Sequence, residues 1–277
     1  MSTRPFTQLD VFTAVPLKGN ALAVVHAAEG LSDAQMQAFA HWTNLSETTF
    51  LLPPTDPQAD YAVRIWTPER ELPFAGHPTL GSCHAWLAAG GRPKQDGLVV
   101  QQCGVGLVRV KRDGSRLAFA APPLKRSGEV DAATLAQIVR SLRIPADAIR
   151  AAQWVDNGPG WVAVLLGSRD EVLALKPDYA AMTGIELGVV APWRGGAADF
   201  EVRAFVPTLG VPEDPVTGSL NAGLAQWLIG SGRAPATYVA AQGTALGRDG
   251  RVFVEQVGAD IWIGGDSVPL VQGEVSL

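Results

Sequence analysis

Glu71-Leu72-Pro73-Phe74-Ala75-Gly76-His77-Pro78-Thr79-Leu80-Gly81-Ser82 decides how this chain is read, because a second stretch follows the same plan. That second copy is Val211-Pro212-Glu213-Asp214-Pro215-Val216-Thr217-Gly218-Ser219. A strand-like run ending in proline precedes each: Val63-Arg64-Ile65-Trp66-Thr67-Pro68, then Val202-Arg203-Ala204-Phe205-Val206-Pro207. An apolar helical run follows each, Cys83 to Ala89 and Leu220 to Ile229. Arg203 minus Arg64 and Pro207 minus Pro68 both give 139, while Ser219 minus Ser82 and Asp214 minus His77 both give 137. Agreement of strand, turn and helix together points to an internal duplication, with one loop two residues shorter.

The difference between the copies carries the chemistry. A small Pro- and Gly-containing turn that opens a helix presents backbone N–H groups, which suit a carboxylate or another anion. At the matched position one copy has His77 and the other Asp214, so a pseudo-twofold pairing of the halves could bring an imidazole and a carboxylate to one cleft. The plainer reading makes Gly76 and Gly218 turn residues and Asp214 a helix cap beside Pro215. Two copies in register favour the functional reading.

At 277 residues the chain is long enough for two domains, each with its own core. Half of that length agrees with the repeat offset. Hydrophobic residues at 47% and charged residues at 18% describe a folded protein. The 22 basic and 27 acidic residues leave a net charge of −5, with no basic cluster, so nucleic acid and anionic membrane surfaces are poor partners. Met1 to Phe6 lead straight into a strand without an apolar signal core, and no apolar run approaches a bilayer span of roughly 20 residues. A cytoplasmic location is expected. Cys83 and Cys103 make neither a disulfide framework nor a four-ligand zinc site, so no metal and no cofactor are expected.

In chain order, Leu9 to Phe12 and Ala21 to His26 read as strands joined through Gly19-Asn20. Asn20 could line a cleft or tolerate a left-handed turn. Ser32-Asp33 opens a helix with Met36, Phe39, Ala40 and Trp42 on its apolar side. Ser46-Glu47 then enters a strand, where Glu47 beside Phe50-Leu51-Leu52 is either wet or half-buried. Leu98 to Val110 and Leu117 to Ala120 form a hairpin at Asp113-Gly114. Pro122 to Gly128 reads as the linker, giving domains 1–123 and 124–277, with a late strand free to pack with the first. Glu186 lies 139 residues after Glu47 but lacks its Ser and Thr neighbours, and ranks below it.

Asn44-Leu45-Ser46-Glu47-Thr48-Thr49-Phe50, the motif from Glu71 to Gly81, and Glu213 to Ser219 resemble the three signatures of the phenazine-biosynthesis PhzF-like family. Asp10-Val11-Phe12 and Gly19-Asn20 are similar to its opening motif. The resemblance implies a fold like that of diaminopimelate epimerase: two pseudo-symmetric α/β halves, each a mainly antiparallel sheet wrapped around a central helix, with the site between them. It also implies a homodimer. By that resemblance Glu47 is the acid/base, with His77 and Asp214 beside the substrate, and Ser46, Gly76, Thr217, Gly218 and Ser219 supply polar and backbone contacts. The related epimerase carries a cysteine at about the positions of His77 and Asp214; this chain has none there, which disfavours two-thiol racemisation.

The expected activity is cofactor-independent isomerisation, a proton moved within a small unsaturated or cyclic carboxylic acid. The alternatives are an epimerase with His77 and Asp214 as paired bases, and a non-catalytic small-acid-binding protein.

Overall fold

The structure, a computed structural model, describes residues 2–277. It divides into two units, Met1–Ala120 with Gly264–Leu277, and Ala121–Ile263.

The first unit begins with β1 (Thr3–Val11) and β2 (Asn20–Val25), an antiparallel pair. Next comes α1 (Asp33–Thr43), opened by a reciprocal capping box between Ser32 and Gln35 and closed by Asn44 at φ 53°. The chain re-enters the sheet as β3 (Glu47–Leu52), parallel to β2 and paired Leu22 to Glu47. Both strands are almost wholly buried, as a parallel pair covered on both faces must be. β4 (Tyr61–Trp66) and the short β5 (Glu71–Leu72) lead to α2 (Gly76–Ala88). β6 (Leu98–Cys103), β7 (Gly106–Asp113) and β8 (Arg116–Ala120) complete this part of the unit. The expected strand from Leu98 to Val110 is therefore two strands, turned at Gly104-Val105 ahead of Gly106 at φ 102°.

The second unit opens with β9 (Arg126–Gly128) and α3 (Ala132–Leu142). Pro122 to Gly128 is thus not plain linker, since β9 pairs with the next strand. β10 (Ala151–Asp156), β11 (Trp161–Leu165), α4 (Arg169–Ala174), β12 (Glu186–Pro192), β13 (Phe200–Phe205) and β14 (Glu213–Asp214) precede α5 (Gly218–Gly230). β15 (Thr237–Gln242), β16 (Gly250–Val257) and β17 (Asp260–Gly265) follow, and the last strand, β18 (Ser267–Ser276), pairs with β1.

The pairings repeat. β10–β11 is antiparallel like β1–β2, β11–β12 parallel like β2–β3, and β13–β15 parallel like β4–β6. Leu22 pairs with Glu47 as Trp161 pairs with Glu186, both shifted by 139. The register of the motif differs from the expected one. Between β4 and β5 the chain spends residues 67–70; between β13 and β14 it spends residues 206–212. Those extra residues include the helical turn Pro207–Leu209, and they raise the offset to 142, the shift from Glu71 to Glu213 and from Gly76 to Gly218. His77 therefore corresponds to Ser219, not to Asp214, and Asp214 corresponds to Leu72. The offset returns to 139 at β6 and β15.

Each unit is built around its motif helix. α2 touches β1, β2, β3, β6, β8 and β18, while α5 touches β10, β11 and β16. Neither helix is amphipathic, because neighbours surround it. α2 begins seven residues before the apolar run at Cys83, and α5 two residues before that at Leu220; Pro78 lies in the first turn of α2, where a missing N–H costs nothing. Gly81 and Gly223, equivalent at the 142 offset, let these helices approach the sheet. A Cβ on Gly81 would lie 2.5 Å from Leu22, and one on Gly223 would lie 2.3 Å from the Val155 carbonyl oxygen.

Of the four expected apolar residues of α1, Met36, Phe39 and Ala40 are buried, but Trp42 is 79% exposed. It falls off the 36–39–40 stripe and lies stacked against Phe39. No helix among the described residues is long and apolar enough to cross a membrane.

One ion pair recurs in both units. Arg64 grips Glu71 through Nε and Nη2 at 2.7 and 2.6 Å, and Arg203 grips Glu213 the same way at 2.8 and 2.7 Å. The first pair is partly exposed; the second is buried, and Arg203 Nη1 also donates to the carbonyls of Val172 and Leu175. Removing one member of a buried pair strands the other charge, so Arg203→Met is expected to lower unfolding free energy by about 3–5 kcal/mol. Arg64→Met should cost several-fold less, and urea unfolding of both variants compares them.

Candidate active site

In the first unit, Asn20 opens β2, Glu47 opens β3, and Gly76-His77 open α2. Parallel pairing puts the starts of β2 and β3 at one end of the sheet, and the first turn of α2 arrives there. His77 Nε2 lies 3.5 Å from Glu47 Oε2, and His77 Nδ1 lies 3.2 Å from Asn20 Nδ2. Asn20 is buried, so its amide faces the ring rather than serving a surface turn. The Glu47 side chain is 14% exposed, which decides for half-buried over wet. Ser46 sits half-buried in the bend ahead of it.

Hydroxyl groups fix these pieces. Ser82 of α2 donates to Thr49 Oγ1 at 2.9 Å, and Thr43 at the end of α1 meets Thr48 at 2.9 Å. Thr48, Thr49 and Ser82 are fully buried. Glu47 is therefore held on a strand pinned to the helix that carries His77.

Burial pushes the His77 ring down to a pKa of about 3, with the Ala21 backbone working weakly the other way. The ring is neutral at physiological pH and brings no positive charge to Glu47. An amide nitrogen has only hydrogens to offer, so in this orientation of Asn20 the Nδ1 atom accepts and the ring proton sits on Nε2, toward Glu47. A ring with so low a pKa is a poor general base.

In the second unit, Thr217 Oγ1 donates to Asp214 Oδ2 at 2.5 Å. Gln242 of β15 organises this turn: its Nε2 donates to the Asp214 carbonyl at 3.1 Å and to Thr217 Oγ1 at 2.9 Å. Its Oε1 accepts from the Thr217 N–H at 3.1 Å and from Asn221 Nδ2 at 2.9 Å. Ser219 is buried, with Trp161 Nε1 donating to its hydroxyl at 3.0 Å and Asn157 Nδ2 donating to its carbonyl at 2.8 Å. Glu186 is buried too and accepts from Thr208 Oγ1. Asp214 thus ends a strand ahead of the helix and does not cap it.

The two motif helices share a further trait. Ser32, Asp131 and Ser168 cap α1, α3 and α4 with side-chain hydrogen bonds, whereas Ala75 and Thr217 give α2 and α5 none. Gly76 and Gly218 are first helical residues, not left-handed turn positions. Their lack of a side chain keeps the amides of each first turn open to an acceptor. The thiols play no such part: burial pushes Cys83 up to about 12 and raises Cys103 as well, so neither is a thiolate at neutral pH.

Gln242, Asn221, Asn157, Trp161, Thr49 and Ser82 were not singled out from the sequence. A buried polar residue has no signature of its own on an otherwise apolar strand or helix.

The duplicated architecture, a sheet around a central helix in each unit, and the three motifs place the chain among the phenazine-biosynthesis-like isomerases. The chain belongs to the phenazine biosynthesis-like protein family, whose model matches residues 9–273. Antisense-enhancing sequence 1 of Schizosaccharomyces pombe is 34% identical, over 99% of each chain. A trans-2,3-dihydro-3-hydroxyanthranilate isomerase of Pseudomonas fluorescens is 32% identical, over 97% of this chain and 98% of its own. The crystal structure of a PhzF-family phenazine biosynthesis protein from Enterococcus faecalis superposes over 100% of both chains, with a TM-score of 0.81 and 27% identity.

Neutral burial of His77 has a consequence for stability. Between its ordinary value of 6.5 and about 3, the unfolded chain binds a proton at this ring that the folded protein does not. Stability should therefore fall as pH drops through that window, with no such slope from His77 above it. His77→Gln should lose less stability than the wild type between about pH 7 and about pH 4, as read by urea midpoints. Equal losses in both proteins would mean that His77 is charged in the folded state.

Proposed function

We propose that this protein isomerises a small unsaturated or cyclic carboxylic acid by moving a proton between two carbons, with Glu47 as the single acid/base. Glu47 breaks one C–H bond, the electron pair moves into the conjugated system, and the carboxyl group returns the proton to the other carbon. The observation that carries this reading is the half-buried Glu47 held 3.5 Å from a neutral His77, on a strand pinned to the helix bearing that ring. One carboxylate that takes and returns a proton suits a shift on one face, whereas inversion of a stereocentre needs bases on two faces. The low pKa of His77 weighs against the paired-base epimerase.

The substrate's carboxylate is the partner of Thr217, Gly218 and Ser219 in this reading, and Asp214 serves the same substrate. Uncapped helix N-termini favour an anion. The isomerase named for trans-2,3-dihydro-3-hydroxyanthranilate acts, by that name, on a partly reduced aromatic acid, and its 32% identity supports this substrate class. Assembly as a homodimer in the cytoplasm accompanies the proposal.

Incubating the protein with cyclohexadiene carboxylic acids in heavy water and following solvent-hydrogen incorporation by NMR tests the reaction. Glu47→Gln should slow incorporation and turnover by about 10²–10⁴ while unfolding stays cooperative. Near-wild-type exchange in that variant would remove Glu47 from the role.

A further inference from the structure

The second residue of each motif helix receives an N–H from the neighbouring sheet. In the first unit Asn20 Nδ2 reaches His77 Nδ1; in the second Trp161 Nε1 reaches Ser219 Oγ at 3.0 Å. Asn20 opens β2 and Trp161 opens β11, the corresponding strand. The donors differ, but the position they address is the same.

An indole N–H can only donate. A serine hydroxyl has one hydrogen and acceptor lone pairs, so when Trp161 takes the acceptor side the hydroxyl hydrogen must go elsewhere. No described group accepts it, although Ser219 is only 6% exposed. The geometry points to Trp161 as a positioning residue that fixes the Ser219 hydroxyl as a donor to the carboxylate of the substrate. Asn157 completes the arrangement by holding the Ser219 carbonyl at 2.8 Å. Trp161 is itself 1% exposed, on a strand paired with β12, so its ring does not wander. A hydroxyl oriented in this sense, at the start of a 13-residue helix with no side-chain cap, offers its hydrogen to a ligand oxygen, and most strongly to one bearing negative charge.

This inference rests on the proposed carboxylic-acid substrate but not on Glu47, and a binding measurement separates the two. Anthranilate and anthranilamide differ by a carboxylate against an amide, and calorimetry gives the Kd of each. The wild type should prefer the acid. Trp161→Phe keeps the aromatic volume and removes the N–H; it should weaken anthranilate binding about tenfold and anthranilamide binding several-fold less, because the neutral amide oxygen accepts the same hydrogen more weakly. Ser219→Ala should weaken the acid to a similar degree, and adding Trp161→Phe to it should cost nothing more. A purely structural role would lower affinity for both ligands alike.

Equal loss for acid and amide, additive loss in the double variant, or no wild-type preference for the acid, including no binding of either, would overturn the proposal. If the acid-selective loss appears while Glu47→Gln remains active, the carboxylate contact stands and the proton-transfer reading falls.

Discussion

Everything in this fold follows from burying a helix on every side. A helix at a protein surface can cap its first amides with a nearby Ser or Asp, as α1, α3 and α4 do. α2 and α5 are enclosed by sheet and open on Gly-His and Gly-Ser instead. Their close approach depends on Gly81 and Gly223, where any side chain would meet sheet atoms at 2.5 Å or less. A helix start that must stay buried, yet has no cap of its own, is a costly feature for folding and a useful one for an anionic ligand. That tension explains why polar groups crowd there: Gln242 and Asn221 in one unit, Asn20 and Glu47 in the other.

Duplication supplied two copies of this arrangement, and divergence gave them different work. The skeleton is the same: strand pairings, parallel crossover, arginine–glutamate clamp, helix start. At the second helical residue one copy places a buried imidazole and the other a buried hydroxyl. The strand-opening glutamates diverged in parallel, Glu47 keeping some exposure beside His77 while Glu186 is sealed in and bonded by Thr208. The clamps diverged too, since Arg203 is buried where Arg64 reaches solvent and Asp33. Arg203 holds Glu213, and Asp214 is the next residue, so the buried clamp fixes the backbone that presents Asp214 to Thr217.

The duplication was legible in the sequence because strands keep a strict offset, and Arg64 and Arg203 mark it. Glu47 and His77 stand in long, specific motifs, and the structure sets them 3.5 Å apart. Register inside the motif was not legible. Residues 206–212 lengthen the approach to the second helix, and a serine at both Ser82 and Ser219 offered a false match. In the structure Ser82 faces Thr49 in the core, one turn and more beyond the helix start. Trp161 and Gln242 had no local signal at all: they meet their partners 58 and 25 residues away in the chain, and only the pairing of strands within the second unit brings them there.

His77 shows how burial shapes chemistry at such a place. A charged imidazolium beside Glu47 would hold the carboxylate by attraction. Enclosure by the sheet removes that option, because desolvation keeps the ring neutral far below physiological pH. What remains is a dipolar partner whose Nε2 hydrogen faces Glu47, with Asn20 fixing the opposite edge of the ring. The separation of 3.5 Å is longer than a good hydrogen bond, so the ring orients the carboxyl group without fully occupying it. The ring's charge state thus follows from the helix burial that organises the unit: a neutral imidazole is what a sealed helix start permits.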